Sequence, residues 1–221
     1  MSESFTTYAA LGLFAVIPLA FMVMTSFLKL SVVFSILRNA IGLGQVPSGT
    51  IITVLAAILS LYVMAPVGQE MAEAAAPSIE RVDWEAPMRG DSKDAVIESL
   101  ESGLGPLKEF LKRNATQRER SLFLDLARQA RAPEHRADVG PDDLLVILPA
   151  FIITELAEAF QIGFLVFIPF LIVDLVVANV LLALGMQTMS PTTISLPFKL
   201  LLFVIVDGWF LLSRALVLGY S

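Results

Sequence analysis

The chain has 221 residues, of which 56% are hydrophobic and only 16% are charged, and its mean hydropathy is +0.76. A soluble domain carries about 25% charged residues, so the composition excludes an ordinary soluble protein and indicates an integral membrane protein. The net charge of −6 argues against a nucleic-acid partner, and the lack of cysteine excludes disulfides and thiolate metal sites. The one histidine, His135, leaves little for a metal site or a catalytic triad, so we expect no cofactor.

The charged residues are concentrated in the middle of the chain. Eleven of the 15 Lys and Arg residues, and 16 of the 21 Asp and Glu residues, lie between positions 68 and 143. The sequence therefore predicts an all-α membrane protein in which two apolar helical hairpins flank a polar helical insert. The hairpins are expected at 1–67 and 144–221, and the insert at 68–143.

Four apolar segments approach or exceed the roughly 20 residues that cross a bilayer as helix. Short connections containing Gly or Pro join the first segment to the second and the third to the fourth, so each pair should form a hairpin of long, kinked helices. The first segment has no basic region before it and no clear cleavage site, so we expect a retained span and not a signal peptide. The segments run approximately from Tyr8 to Leu37, Thr50 to Val67, Leu144 to Leu184 and Ile194 to Leu218.

The insert contains two stretches with the apolar spacing of amphipathic helices. The first, beginning at Asp94, is expected to be interrupted at Gly103 and Pro106, and the second begins near Arg118. The insert has a net charge of −5, whereas the first hairpin loop contains Arg38. Because positive charge favours the cytoplasmic side, we expect the insert in the periplasm and both hairpin tips toward the cytoplasm.

The third apolar segment is too long for one crossing of the membrane. As helix, its 41 residues would span about 60 Å, whereas the hydrocarbon core is about 30 Å thick. Either two spans meet at a turn near Gly163 or Pro169, or one tall kinked helix leaves the bilayer. The tall helix is favoured because the region offers almost no polar loop residues and proline is tolerated in apolar helices.

Ionisable residues inside apolar segments are costly unless they are paired or face an interior. Folding the last hairpin about Met186 places Asp174 and Lys199 at nearly the same height, which predicts an ion pair within one chain or between chains. The same count matches Glu158 with Arg214. Two opposite-charge pairs in register indicate a tall antiparallel hairpin.

The remaining charges and small residues point to assembly. Lys29 meets no acid across its own hairpin, so its partner should come from another hairpin or another chain, with Asp207 and Glu155 as candidates. Ala159 and Gly163 have the small-xxx-small spacing that permits close approach of helices.

Several long blocks, in order, are similar to the signature blocks of the SctR/FliP family, the R-type inner-membrane proteins of the bacterial type III secretion export apparatus. The similarity covers nearly the whole chain except the insert, and the lack of a cleavable leader favours the injectisome branch over the flagellar one. The blocks are MTSFLKLSVVFSILRNAIGLGQVPS, LYVMAPV, LLVILPAFIITELAEAFQIGFLVFIPFLIVDLVVANVLLALGM and TISLPFKLLLFVIVDGW.

This resemblance implies a core subunit of the export gate in the bacterial inner membrane. The chain would form a ring of about five copies together with the S-type and T-type proteins, with the U-type switch protein and the V-type gate protein nearby. Unfolded secreted proteins would pass through the centre of the assembly, which is expected to project toward the periplasm.

The resemblance also gives the methionines of the last loop a function. The family has a methionine-rich loop here that closes the pore as a gasket, which assigns Met186 and Met189 to the seal. Methionine is flexible and apolar, so a ring of it can exclude ions yet deform around a passing chain. Gln187 and Thr188 lie between the two methionines and make this seal thinner or partly polar.

Two other functions are compatible with intramembrane charges. A transporter or ion channel could use Lys29, Asp174, Lys199 and Asp207 as a relay, although four spans are few and no inverted repeat is evident. An intramembrane aspartyl protease could use Asp174 and Asp207, but Asp174 lacks the flanking glycines of such enzymes. We therefore expect a protein that is not an enzyme.

Overall fold

The computed structural model describes residues 18–42, 47–83, 90–186 and 188–220. Every regular element in these ranges is helical, which confirms the all-helical prediction. The beginning of the first apolar segment, part of the first hairpin loop and Gln187 lie outside the described residues. The elements are α1 (Pro18–Met24), α2 (Phe27–Ile41), α3 (Gly49–Ile79), α4 (Gly90–Arg113), α5 (Gln117–Gln129), a 3-10 turn (Pro133–His135), α6 (Leu144–Ala183), α7 (Pro191–Ile205) and α8 (Gly208–Leu218).

Two of the described helices, α3 and α6, are long and apolar enough to cross a membrane alone. The number rises to four if α1 with α2, and α7 with α8, are each counted as one span broken at a short interruption. The fold is therefore that of a helical membrane protein with two to four spans.

Helix α6 is one continuous helix of 40 residues, about 60 Å long at 1.5 Å per residue. The favoured prediction of a tall helix is thus confirmed, and the alternative turn near Gly163 or Pro169 is not formed. Without polar residues to stabilise a loop in this stretch, continuing the helix satisfies the backbone hydrogen bonds internally.

Two helices are longer than the sequence pattern predicted. Helix α3 continues to Ile79, beyond Val67, because the following residues are rich in the good helix formers Ala, Glu and Met. Helix α4 runs through Gly103 and Pro106, so the expected interruption is wrong. A Cβ on Gly103 would lie 3.3 Å from the Cβ of Ala75, which shows that this glycine permits close packing of α4 on α3.

By packing, the chain divides into two compact units. One comprises Met1–Thr25 with Leu61–Glu155, and the other comprises Ser26–Ser60 with Leu156–Ser221. The division cuts two of the long helices, α3 between residues 60 and 61 and α6 between residues 155 and 156. The division into hairpins at 1–67 and 144–221 and an insert at 68–143 follows charge instead of packing, and it stays a prediction.

In the unit that contains the insert, the corner between α4 and α5 packs on the first turns of α6. The rings of Phe110 and Phe151 lie 5.9 Å apart and both are buried. The backbone N–H of Thr116, the residue before α5, donates a hydrogen bond of 3.1 Å to the buried Thr154 hydroxyl of α6. The insert is thus an ordered helical element, as its amphipathic spacing indicated.

An exposed ion pair joins the end of α4 to the turn that precedes α6. Lys112 Nζ lies 2.8 Å from Asp142 Oδ1. The hydrogen bond from Lys112 lowers the pKa of the Asp142 carboxyl, and the same bond raises the pKa of the Lys112 ammonium. The ionised carboxylate is therefore favoured in the folded chain.

This ion pair should make the stability of the insert depend on pH. Since the folded pKa of Asp142 is lowered, its contribution is present above the unfolded pKa and is lost as pH falls through the folded pKa. The melting temperature of Asp142→Asn should lie below that of the parent chain at pH 7, and the difference should disappear as the pH falls through the lowered folded pKa of Asp142. Asp125→Asn on the exposed side of α5 is the control, and an Asp142→Asn difference that did not change with pH would contradict the assignment.

Candidate functional site

Lys199 of α7 is buried within the apolar part of the chain. Its side chain is 3% exposed, and its Nζ lies 2.6 Å from Asp174 Oδ2 on α6. The Ser195 hydroxyl donates a hydrogen bond of 2.5 Å to the other carboxylate oxygen, Oδ1. The structure thus brings Asp174 and Lys199 together within one chain, at the height predicted by counting from the tip.

The same ammonium also caps a third helix. Lys199 Nζ donates a hydrogen bond of 3.1 Å to the carbonyl of Ala40, next to the last residue of α2. The carbonyls of the last turn have no partner within a helix, and a cation there also interacts favourably with the helix dipole. Gly42, with φ of +81°, ends α2 at this point. We call Lys199, Asp174, Ser195 and the Ala40 carbonyl the lysine clamp.

Lys29 of α2 is buried and forms a second ion pair, with a half-buried acid. Its Nζ lies 2.7 Å from Glu158 Oε2 of α6, and it lies 4.3 Å from the centre of the Tyr220 ring. A partner does come from another hairpin, as expected, and it is Glu158; Asp207, one of the expected candidates, lies exposed at the break between α7 and α8. Glu155 itself is fully buried.

The predicted pairing of Glu158 with Arg214 is wrong within the described chain. Glu158 binds Lys29, and Arg214 lies exposed on α8. The count from the tip assumed a straight hairpin, whereas the axes of α7 and α8 differ by 58°. Register is therefore kept as far as Lys199 and lost beyond the break.

The break between α7 and α8 has a defined local structure. Asp207 adopts a left-handed conformation with φ of +50°, and its side chain is exposed. A Cβ on Gly208 would lie 2.1 Å from the Phe203 ring, so this ring occupies the space that only glycine leaves. The Phe203 and Trp209 rings meet edge to face at 5.2 Å. We call residues 206–208 the elbow.

The predicted small-residue contact lies between α6 and α2. Ala159 is fully buried. A Cβ on Gly163 would lie 2.3 Å from Ile36 Cδ1 and 3.2 Å from Ile36 Cβ. Glycine at this position thus allows the branched Ile36 side chain to lie directly against the α6 backbone.

The loop with the two methionines is a tightly built turn. Gly185, with φ of +73°, follows α6, and the Met186 N–H donates to the Leu181 carbonyl at 2.9 Å, the pattern of a glycine C-cap. The Met189 N–H donates to the Met186 carbonyl at 3.3 Å. Pro191 begins α7, where its missing N–H has no cost. Met186 and Met189 remain 41% and 38% exposed.

Sequence reasoning missed three contributors to these sites, the Ala40 carbonyl, Ser195 and Tyr220. Ser195 was detectable, because it lies four residues before Lys199 and therefore on the same helical face. Tyr220 was not, because its contact with Lys29 depends on how α8 leaves the elbow. Among the described residues, no group of three or more His, Asp or Glu side chains could hold a metal ion.

These features define a helical membrane protein whose intramembrane charges are used to hold helices together. The chain matches the FliP family over residues 10–216. It is 44% identical over 214 residues to the Yop proteins translocation protein R of Yersinia pestis, covering 96% of this chain and 94% of that protein. It is 42% identical to the hypersensitivity response secretion protein HrcR of Ralstonia nicotianae, with coverage of 93% and 92%. It is 39% identical to the virulence protein YscR of Salmonella typhimurium, with coverage of 96% and 94%.

The chain therefore belongs to the FliP/SctR family of type III secretion proteins, and these relatives are of the injectisome type. The family identifies it as a non-enzymatic component of the export apparatus. Together with the membrane-spanning helices, it places the chain in the bacterial inner membrane.

Loss of the clamp's cation should destabilise the fold strongly. Lys199→Met leaves a carboxylate and the Ala40 carbonyl without their donor, and breaking a buried pair from one side costs about 3 kcal/mol or more. Unfolding in mixed detergent micelles measures the loss. Arg81→Met is the control, since its ion pair with Glu98 at 2.6 Å is more than half exposed and should be worth less than about 1 kcal/mol. Equal losses in the two variants would contradict the clamp.

Exchanging the two charges of the clamp should restore only part of this stability. In the variant with Asp174→Lys and Lys199→Asp, opposite charges face each other again, but an aspartate at 199 cannot donate to the Ala40 carbonyl. Full recovery in the same unfolding measurement would show that the bond to Ala40 contributes nothing.

Gly163→Ala should be destabilising because the added methyl group must displace Ile36. Overpacking of this kind costs about 1–3 kcal/mol, and a second change, Ile36→Ala, should relieve it, so a double-mutant cycle should give a favourable coupling. Gly105→Ala is the control, since its added Cβ meets nothing within 4 Å. A neutral Gly163→Ala would contradict the close contact.

Proposed function

We propose that this chain is a pore-forming subunit of the type III secretion export gate and conducts unfolded proteins across the inner membrane. About five copies would form a ring with the S-type and T-type proteins, beside the U-type switch protein and the V-type gate protein. The names of the relatives, which include a translocation protein and a secretion protein, support this assignment.

The observation that carries the proposal is the methionine tip. Met186 and Met189 stand exposed on a compact turn at the end of the hairpin that α6 and α7 form. In a ring, such turns would converge and line the narrowest part of the bore. Flexible apolar side chains would exclude hydrated ions and still give way to a polypeptide.

The lysine clamp would fix the height of this tip. Asp174 lies 12 residues before Met186, or about 18 Å along the helix. Because the clamp also bonds the end of α2, it would hold the last hairpin against sliding when a substrate moves through the bore. In each copy the tip would then lie at the same level.

The charge distribution supports an orientation as well. The acidic insert would lie on the periplasmic side, and both hairpin tips would point toward the cytoplasm, where Arg38 of the first hairpin favours that topology. The methionine tip would then meet substrates early in their passage.

The contacts of the intramembrane charges argue against a proton or ion relay and against an aspartyl protease. Both carboxylate oxygens of Asp174 are bonded, one to Lys199 and one to Ser195. Lys29 is likewise held by Glu158. Because Asp174 and Lys29 are already paired with opposite charges, a structural role is favoured over proton transfer.

The proposal is tested by the native mass of the chain in mild detergent, alone and co-expressed with the S-type and T-type proteins. We expect a discrete homo-oligomer that grows into a larger stable complex with those partners. A monomer or dimer that ignores them would contradict the proposal and favour a transporter.

Removing the apolar tip should make the assembled gate leak. Met186→Ala with Met189→Ala shortens both side chains, so ion flux through the reconstituted complex should rise at least about tenfold, because hydrophobic constrictions gate by excluding water. Thr188→Ala within the same turn is the matched control and should leave the flux low. Leucine at both positions should also keep the flux low, since it remains apolar. A double alanine variant as tight as the parent would remove the tip from the seal.

A further inference from the structure

We infer that Arg214 of one copy of this chain binds Glu158 of the next copy, so that two different faces of the molecule meet at each interface of the ring. The inference rests on the ring proposed above and names a contact that would hold its copies together. Arg214 and Glu158 do not pair within the described chain, and each of them presents a charge that a neighbour could satisfy.

Arg214 is an exposed cation on the outer side of α8. Within the described residues it has no ion pair, although α7 and α8 together are apolar enough to form a membrane span. Charges in such segments are costly unless they are paired or face an interior. Leu211 and Leu218, three residues before it and four after it, share its side of the helix and are 53% and 56% exposed. We call these three residues the arginine face.

Glu158 of α6 is an acid with one oxygen still available. Its Oε2 binds Lys29 at 2.7 Å, and its side chain is nevertheless 45% exposed. Among the described residues, no hydrogen-bond or ion-pair partner meets its Oε1. An ionised carboxylate accepts bonds on both oxygens, so it can hold a lysine and an arginine together. Glu155, three residues earlier on α6, is fully buried and therefore closed to a neighbour.

The surface beside Glu158 is apolar. Leu165 and Ile172 follow at intervals of seven residues, which return to the same side of a helix, and they are 66% and 53% exposed. Gln161, between Glu158 and Leu165, is exposed as well. We call these four residues the glutamate face. It complements the arginine face, because each face has one charge, of opposite sign, flanked by large apolar side chains.

The two faces lie on different sides of α8. Leu212 and Leu216 are buried on the side that packs against its own chain. Tyr220, just beyond the helix, is also buried, and its ring centre lies 4.3 Å from Lys29 Nζ, the ammonium that binds the acid of the glutamate face. Arg214 is two residues from each buried leucine, about 200° around the helix. It therefore points away from the side where Tyr220 meets Lys29.

A contact between two different faces can close a ring. Each copy would present its arginine face to one neighbour and its glutamate face to the other, so the contact is heterologous and repeats by rotation. The last hairpin also exposes Asp207 at the elbow. A contact between the α8 surfaces of two copies, however, would be self-complementary and would close a dimer. Glu158 is thus the acid that agrees with a ring.

The experiment is cross-linking between two differently tagged copies of the full chain, which contains no native cysteine. Helix α6 runs toward the methionine tip and the chain returns from it through α7 and α8, so Gln161 and Leu211 both lie on the tip side of their charged residues. One copy carries Q161C and the other L211C, and both are co-expressed with the S-type and T-type proteins. A short bismaleimide can join these two cysteines only across two copies. We expect a cross-linked product that contains both tags.

Three comparisons decide the result. Q161C alone and L211C alone should give no cross-linked product, and Q161C mixed with L122C, a similarly exposed leucine of the insert, should give none with both tags. Strong linkage in either single variant, or equal linkage from L122C and L211C, would overturn the inference. An intact ring by native mass without the mixed product would overturn this contact and leave the ring standing. A chain that stays monomeric with its partners would overturn both.

Charge substitution tests the ion pair itself. Like charges placed opposite each other destabilise an interface, so R214E should lower the fraction of chain in the ring at least about tenfold. The matched control is R118E, at an exposed arginine of α5 that has no ion pair within the described residues, and it should change the fraction less than about twofold.

The same substitution in an E158Q background isolates the coupling between the two positions. The amide oxygen of glutamine can still accept a bond from Lys29, but the repulsion of R214E by a carboxylate is gone, so R214E should now lower the ring fraction less than about threefold. An effect of R214E that is equal in both backgrounds would overturn the pairing and assign Arg214 to another acid or to lipid head groups.

Discussion

A buried ammonium group is the constraint on which the apolar part of this molecule depends. Lys199 lies in a segment where an unpaired charge is costly, and it is 3% exposed. Its ammonium donates to Asp174 of α6 and to the Ala40 carbonyl of α2, so both helices must supply a partner to keep this charge buried. Meeting that requirement fixes the register of the last hairpin and docks the end of α2 against it.

The consequences extend in both directions along the hairpin. Toward the tip, the clamp sets where the methionine turn lies, and the glycine cap at Gly185 completes that turn without help from other elements. Away from the tip, the chain leaves its straight course at the elbow, and the charges of α8 no longer reach acids on α6. Glu158 is then free to bind Lys29, and Arg214 is left exposed.

This geometry explains which features could be predicted from the sequence. Counting residues from the tip placed Asp174 opposite Lys199 because α6 and α7 are regular on both sides of a tight turn, and α6 was predicted whole because it has no polar residues to form a loop. The same count failed for Arg214, because the chain bends at the left-handed Asp207. The sequence marks this bend only by the glycine that follows Asp207. The bond to Ala40 and the contact of Tyr220 with Lys29 depend on tertiary packing, which no local pattern encodes.

The central claim is that exported polypeptides pass the methionine tip. A photo-reactive amino acid placed at Met189, in cells holding a secretion substrate stalled in transit, tests this most directly, with the same group at Leu122 on the insert as the reference position. Cross-links to the stalled substrate from Met189 and few from Leu122 are what the account predicts. Efficient secretion and stalling with no cross-link from Met189 would contradict it, since the tip could not then line the path.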